Sequence, residues 1–192
     1  QKFFDKETGM DLLEEINNFL VSPYASLYIN ASEIGIADSV GGMIIDLLSH
    51  YIINHEEYRI LNNDKSKNAF VLFIDEVHRY TRSPCDDTEF YSGLTMIARE
   101  GRKKGIFLFL TTQNPQDVSP ILLGQVGTLL VHRLTHNNEL KAIQNHLDES
   151  SIQIVKKLNQ GESILTSINL LRNIYLHVNK CPRQHNNRTP KL

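Results

Sequence analysis

The chain has 192 residues, a formal net charge of −2, and 41% hydrophobic against 22% charged residues. This is the balance of an ordinary globular protein of one-domain size, and it excludes a surface coated in basic charge, though not a local basic stripe facing nucleic acid. No apolar run approaches the roughly 18 residues that a membrane span requires.

Residues 8–20 read as an amphipathic helix, with Met10, Leu12, Leu13, Ile16, Phe19 and Leu20 at helical spacings, and Ser22-Pro23 breaks it. Ser26–Asn30 is a short strand candidate. Asp38 or Ser39 can cap a helix over 40–54, whose apolar stripe includes Met43, Ile44, Leu47, Leu48 and Tyr51. Residues 55–68 are polar, and Ala69–Ile74 is then an unbroken apolar run of six residues. A run of that kind predicts a strand buried on both faces. After a loop with Ser83-Pro84, Asp87 or Thr88 can cap a helix reaching about Lys103. Ile106–Leu110 is a second apolar strand, Ser119-Pro120 opens a short helix, and Thr128–Leu134 is a third strand. Residues 137–158 read as two helical pieces, and Gly161 introduces strands near 163–168 and 173–178 with the spacing of a hairpin. Strands alternating with helices predict an α/β fold with a largely parallel sheet, as one domain over 1–180 with a polar tail over 181–192.

Several chemistries drop out. Cys85 and Cys181 lie far apart, and no Cys or His spacing matches a zinc site. His55-Glu56-Glu57-Tyr58-Arg59 carries arginine where a zinc-protease helix needs its second histidine. With no signal-like amino terminus, a cytoplasmic location is expected. The chain opens on Gln1, which suggests a processed product, an excised domain or part of a longer chain.

Asp75 and Glu76 follow directly on the first apolar strand. Ligands of open α/β sheets sit outside the carboxyl ends of the strands, so both acids are expected at a site. The pair fits a Walker B element: Asp75 holds the Mg²⁺ of a nucleotide and Glu76 polarises the water that attacks the γ-phosphate of ATP. Two solvated acids at a strand end are the plainer alternative.

Beyond these acids, four further segments stand in order. Phe73-Ile74-Asp75-Glu76-Val77-His78-Arg79-Tyr80 is followed by Ala98-Arg99-Glu100-Gly101-Arg102-Lys103-Lys104-Gly105, by Leu110-Thr111-Thr112-Gln113-Asn114-Pro115, by Leu129–Thr135 and by Gly161-Glu162-Ser163. Together they resemble the HerA-like branch of the HerA/FtsK superfamily of hexameric DNA-pumping ATPases. The resemblance covers about residues 26–180 and implies a RecA-like three-layer fold. It implies that Gln113 senses the γ-phosphate, its amide donating to phosphate oxygen and accepting from water. It also implies that Arg102 is a finger inserted into a neighbouring subunit's site. Taken by itself, Arg102 is a cation complementing a helix dipole. Arg99 is the reserve candidate, and His78 and Arg79 either couple nucleotide state to DNA or are merely exposed. Lys103, Lys104, Arg183, Arg188 and Lys191 receive no assignment.

No Gly-x-x-x-x-Gly-Lys-Ser/Thr loop occurs in the sequence, and Gly41-Gly42 has no lysine after it. Family members carry that loop upstream of Walker B, so the expected fold lacks the phosphate-loop strand, and these residues alone are expected not to hydrolyse ATP. Gln125 stands in a segment that departs from the family's Ser-Gln-Cys-Asn. The implied function is a homo-oligomeric ring, a hexamer, that moves DNA with ATP and Mg²⁺. Such rings work with a nuclease or other effector in end processing or antiphage defence. Two alternatives are weighed beside it. One is a degenerate ATPase-fold scaffold or DNA-binding module. The other is a monomeric helicase with an Asp-Glu-x-His box, for which Thr111-Thr112-Gln113 poorly replaces Ser-Ala-Thr.

Overall fold

In the computed structural model, which describes residues 11–22, 24–30, 40–61, 69–81 and 92–182, the first apolar run forms strand β1 (Phe70–Ile74). Five-residue strand β2 (Ile106–Leu110) lies parallel beside it, with Phe70 opposite Ile106 and Ile74 opposite Leu110. The chain divides into two compact units, residues 1–125 and 126–192. Both β1 and β2 belong to the first.

Three helices of that unit supply its first core cluster. Helix α1 (Leu12–Val21) starts where the Asp11 carboxylate accepts the Leu13 N–H at 2.9 Å and stops at Ser22. Helix α2 (Val40–Leu61) runs seven residues beyond the predicted 54, and α3 (Gly93–Glu100) passes into a tight 3₁₀ turn over Gly101–Lys104. Ile16, Leu20, Leu48, Ile52, Ile53, Ile97 and Ile106 form one buried cluster, which Phe70, Leu72 and Leu108 join. A second cluster, Ile74, Val77, Leu94, Val118 and Leu122, sits under the carboxyl ends of the strands. It includes Leu122 of α4 (Pro120–Leu123), where proline occupies the first turn as expected. Burial of these side chains fixes where β1 and β2 end, and so where Asp75 and Glu76 emerge.

The predicted burial of β1 on both faces is corrected. Phe70, Leu72 and Ile74 face the helices, whereas Val71 and Phe73 are 56% and 61% exposed. Phe107 and Phe109 of β2 share that open face, and the Phe73 and Phe109 rings stack at 6.4 Å. The described helices cover one side of the pair only. Ser26–Asn30 forms no strand; these residues are exposed and enter no ladder. Helix α3 is capped by Ser92, whose Oγ accepts the Thr95 N–H at 3.2 Å. The predicted caps Asp38, Ser39, Asp87 and Thr88, together with Cys85 and residues 183–192, lie outside the described residues.

The α2–α3 contact depends on a missing side chain. Gly93 donates its N–H to the Asp46 carboxylate at 2.6 Å, and a Cβ there would lie 2.7 Å from the His50 nitrogen and 2.8 Å from the Asp46 carbonyl oxygen. Backbone cannot yield as a flexible side chain does. Gly93→Ala is therefore expected to lower unfolding free energy by roughly 2–3 kcal/mol, the scale of core overpacking. Urea denaturation of the two proteins checks this.

In the second unit, β3 (Thr128–Val131) ends three residues before the predicted 134 and pairs antiparallel with β4 (Glu162–Ser167), which pairs antiparallel with β5 (Ile174–His177). Among the described residues, parallel pairing is thus confined to β1 and β2, and the expectation of a largely parallel sheet is corrected for β3. Helices α5 (Asn137–Ile143) and α6 (Glu149–Val155) close a core of Val131, Leu140, Ile143, Leu147, Val155, Leu158 and Ile164. The Ser150 hydroxyl and the Ser151 N–H hold the Asp148 carboxyl, the cap of α6, below its usual range. No helix among the described residues is long and apolar enough to cross a membrane.

Candidate active site

The β1–β2 register decides the site. Ile74 faces Leu110, so Asp75 and Glu76 leave β1 beside Thr111, Thr112 and Gln113 leaving β2. The ladder continues one step past the strands, with the Thr111 N–H donating to the Ile74 carbonyl at 3.0 Å and the Val77 N–H to the Thr111 carbonyl at 2.9 Å. Between those two bonds the chain turns sharply. Glu76 adopts φ 51° and ψ 49°, the left-handed region that non-glycine residues seldom occupy. Such a conformation costs on the order of 1–3 kcal/mol and persists only when its surroundings hold it. Here the Thr111 hydroxyl accepts the Glu76 N–H at 3.1 Å, and Val77, 1% exposed, anchors the next residue in the core.

Thr111 holds both acids. Its hydroxyl accepts from the Glu76 backbone and donates to Asp75 Oδ1. One hydroxyl thereby orients the Asp75 carboxylate and stabilises the turn that presents Glu76. Glu76 is further tied to the second strand, for its Oε2 accepts the Gln113 N–H at 3.2 Å. His78 Nδ1 lies 3.2 Å from that same oxygen and 3.0 Å from Thr112 Oγ1.

Asp75 and Gln113 are exposed, while Glu76 and His78 are mostly buried, with side chains 20% and 16% accessible. Asp75, Glu76 and Gln113 are thus brought together at one end of the sheet. Arg102 is not among them. It is exposed in the turn between α3 and β2, near the point where the Phe70 N–H donates to the Gly105 carbonyl at 3.0 Å. That is the opposite, amino end of the strands, roughly 13 Å away along a five-residue strand. Neighbouring Lys104 instead turns inward, 8% exposed and 3.5 Å from the Glu100 carboxylate. Gln125 is exposed where the first unit ends.

The acids suit a hard cation that arrives with its own ligands. No group of three or more His, Cys, Asp or Glu able to enclose a metal occurs among the described residues. A Mg²⁺ ion requires no such cage, since it keeps several waters and is commonly held by one or two carboxylates plus substrate phosphates. One exposed carboxylate oriented by a hydroxyl fits that demand.

His78, read from the sequence as coupling nucleotide state to DNA or as merely exposed, sits against Glu76, while Thr111 and Thr112 enter the site with no role assigned to them from the sequence. Their signal was present, as two hydroxyl residues directly after an apolar strand, but only the register pairs them with the acids. A model of the helicase HerA-like carboxyl-terminal family matches residues 55–168, a span that takes in the acids, Arg102 and Gln113. The chain belongs to the HerA-like family.

Among its relatives, a probable helicase of Methanocaldococcus jannaschii is 30% identical over 135 residues, covering 63% of this chain and 25% of that protein. The DNA double-strand break repair helicase HerA of Saccharolobus solfataricus is 22% identical over 161 residues, covering 82% of this chain and 31% of the relative. The chain therefore spans less than a third of either relative. Its fold is similar to that of the genome packaging NTPase B204 of Sulfolobus turreted icosahedral virus 2, solved in complex with AMPPCP. The TM-score is 0.55 at 20% identity, over 70% of this chain and 62% of that one. At that identity the likeness concerns the fold alone.

Proposed function

We propose that the chain is the hydrolytic part of an ATP-driven DNA translocase of RecA-like fold. The observation that carries this reading is the meeting of Asp75, Glu76 and Gln113 at the carboxyl ends of two adjacent parallel strands. Asp75, oriented by Thr111, holds the Mg²⁺ that accompanies the nucleotide, and this ion supplies charge neutralisation to the phosphates. Glu76 polarises the attacking water, which must lie within hydrogen-bond reach of its carboxylate. The Gln113 amide contacts the γ-phosphate, and its backbone N–H bonds Glu76, so phosphate loss can be felt at the catalytic acid.

Arg102 lies too far along the strand to serve the acids of its own chain, which supports its assignment to a neighbour's site. A ring of identical subunits, six by the family resemblance, follows from that assignment. DNA as the substrate is supported by the relative named a DNA double-strand break repair helicase. Partnership with a nuclease or other effector belongs to the same reading. The full-length protein is expected to hydrolyse ATP only with a divalent cation and faster when duplex DNA is added. Phosphate release with and without DNA and EDTA tests this. DNA-independent hydrolysis would contradict the translocase, and the absence of any hydrolysis would favour a scaffold.

A further inference from the structure

We propose that His78 is a positioning residue for Glu76, its Nδ1–H shared between the Glu76 carboxylate and the Thr112 hydroxyl oxygen. The inference rests on Glu76 being the group that polarises water. His78 sits in the 3₁₀ turn Val77–Arg79, which the Arg79 N–H closes onto the Glu76 carbonyl at 2.9 Å. That turn brings the imidazole back over the acid two residues earlier. Nδ1 comes within 3.2 Å of Glu76 Oε2. A carboxylate oxygen can only accept, so this contact is attractive only with a proton on Nδ1, and the tautomer follows from the partner.

Thr112 makes the arrangement more than a local pair. Its Oγ1 lies 3.0 Å from His78 Nδ1 and accepts the Asn114 N–H at 3.0 Å, so it is anchored to the turn after β2. The Gln113 N–H supplies a second donor to Glu76 Oε2. Both donors fall on one carboxylate oxygen. Oε1 receives no hydrogen bond among the described residues, which leaves it as the acceptor for water. A glutamate held at one oxygen loses rotamer freedom before the reaction, and such pre-ordering is what a supporting residue contributes to a site.

The test uses the full-length protein and steady-state ATP hydrolysis. His78→Ala is expected to lower kcat on the order of tenfold, the worth of one hydrogen bond to a charged group. KM for ATP should stay within about twofold, because the lost contact orients the water-activating carboxylate rather than the nucleotide. Asparagine places its amide nitrogen at the same bond separation from Cγ as Nδ1, whereas glutamine places it one bond farther out. His78→Asn should therefore recover most of the lost kcat and His78→Gln should not. This contrast decides the matter even if the alanine variant unfolds. Equal recovery by both, or a His78→Ala kcat within twofold of wild type, overturns the inference. A Glu76→Gln control separates the failures. Full turnover by that control overturns the reading of Glu76 and this inference together. An inactive control beside a normal His78→Ala overturns this inference alone.

Discussion

Glu76→Gln in the full-length protein is expected to bind ATP as tightly as wild type while turnover falls by on the order of 10²–10⁴-fold, the range for loss of a general base. The amide has nearly the shape of the carboxylate, and one of its atoms, the oxygen, still accepts the Gln113 N–H that now reaches Oε2 at 3.2 Å. What it loses is the negative charge that draws a proton from water. The left-handed turn at Glu76 is held through backbone atoms and Thr111, so the variant should fold normally. Fluorescent-nucleotide titration and phosphate release, measured on the same preparation, check both halves. Turnover within a few-fold of wild type would remove Glu76 from the chemistry.

Arg102→Ala should also spare ATP affinity and lower turnover on the order of 10³-fold, the contribution of an arginine finger in related phosphoryl transfer. The side chain is exposed, and it lies at the end of the strands remote from Asp75 and Glu76. An arginine that served only the dipole of α3 would cost a few tenths to about 1 kcal/mol of stability and leave turnover intact. The two roles differ enough that one kinetic assay with a thermal melt separates them.

How much of this was legible in the residues can be argued position by position. The run Ala69–Ile74 followed by Asp75-Glu76 announced a strand end with acids, because an unbroken apolar stretch ending in charge has few other folded uses. The family resemblance points to Gln113, and the pairing of β1 with β2 sets it beside the acids. The grip of Thr111 on both acids was not legible. It depends on Ile74 facing Leu110, and register is a property of two strands that neither sequence contains. Apolarity likewise reports what a side chain tolerates rather than what covers it, so Phe73 and Phe109 read as buried yet stand exposed. For Thr128–Val131, an apolar strand looks the same beside a parallel or an antiparallel neighbour, and its pairing with β4 emerged only in three dimensions. Helix α3 begins at Gly93, whereas the predicted caps Asp87 and Thr88 lie outside the described residues. The Ser92 side chain accepts from the Thr95 N–H and caps that start.

The central claim is that a site built on Asp75, Glu76 and Gln113 is completed by Arg102 of another copy, and mixed assemblies test it most directly. A Glu76→Gln subunit has a dead site but offers an intact arginine. An Arg102→Ala subunit has an intact site but offers none. When full-length versions of the two are dissociated, mixed and reassembled, interfaces in which the first serves the second are complete. Hydrolysis should then rise well above that of either parent and peak near equal proportions, with mixed composition confirmed by native mass spectrometry. Mixed assemblies no more active than their parents would contradict the shared site and return Arg102 to the role of a helix-terminal cation.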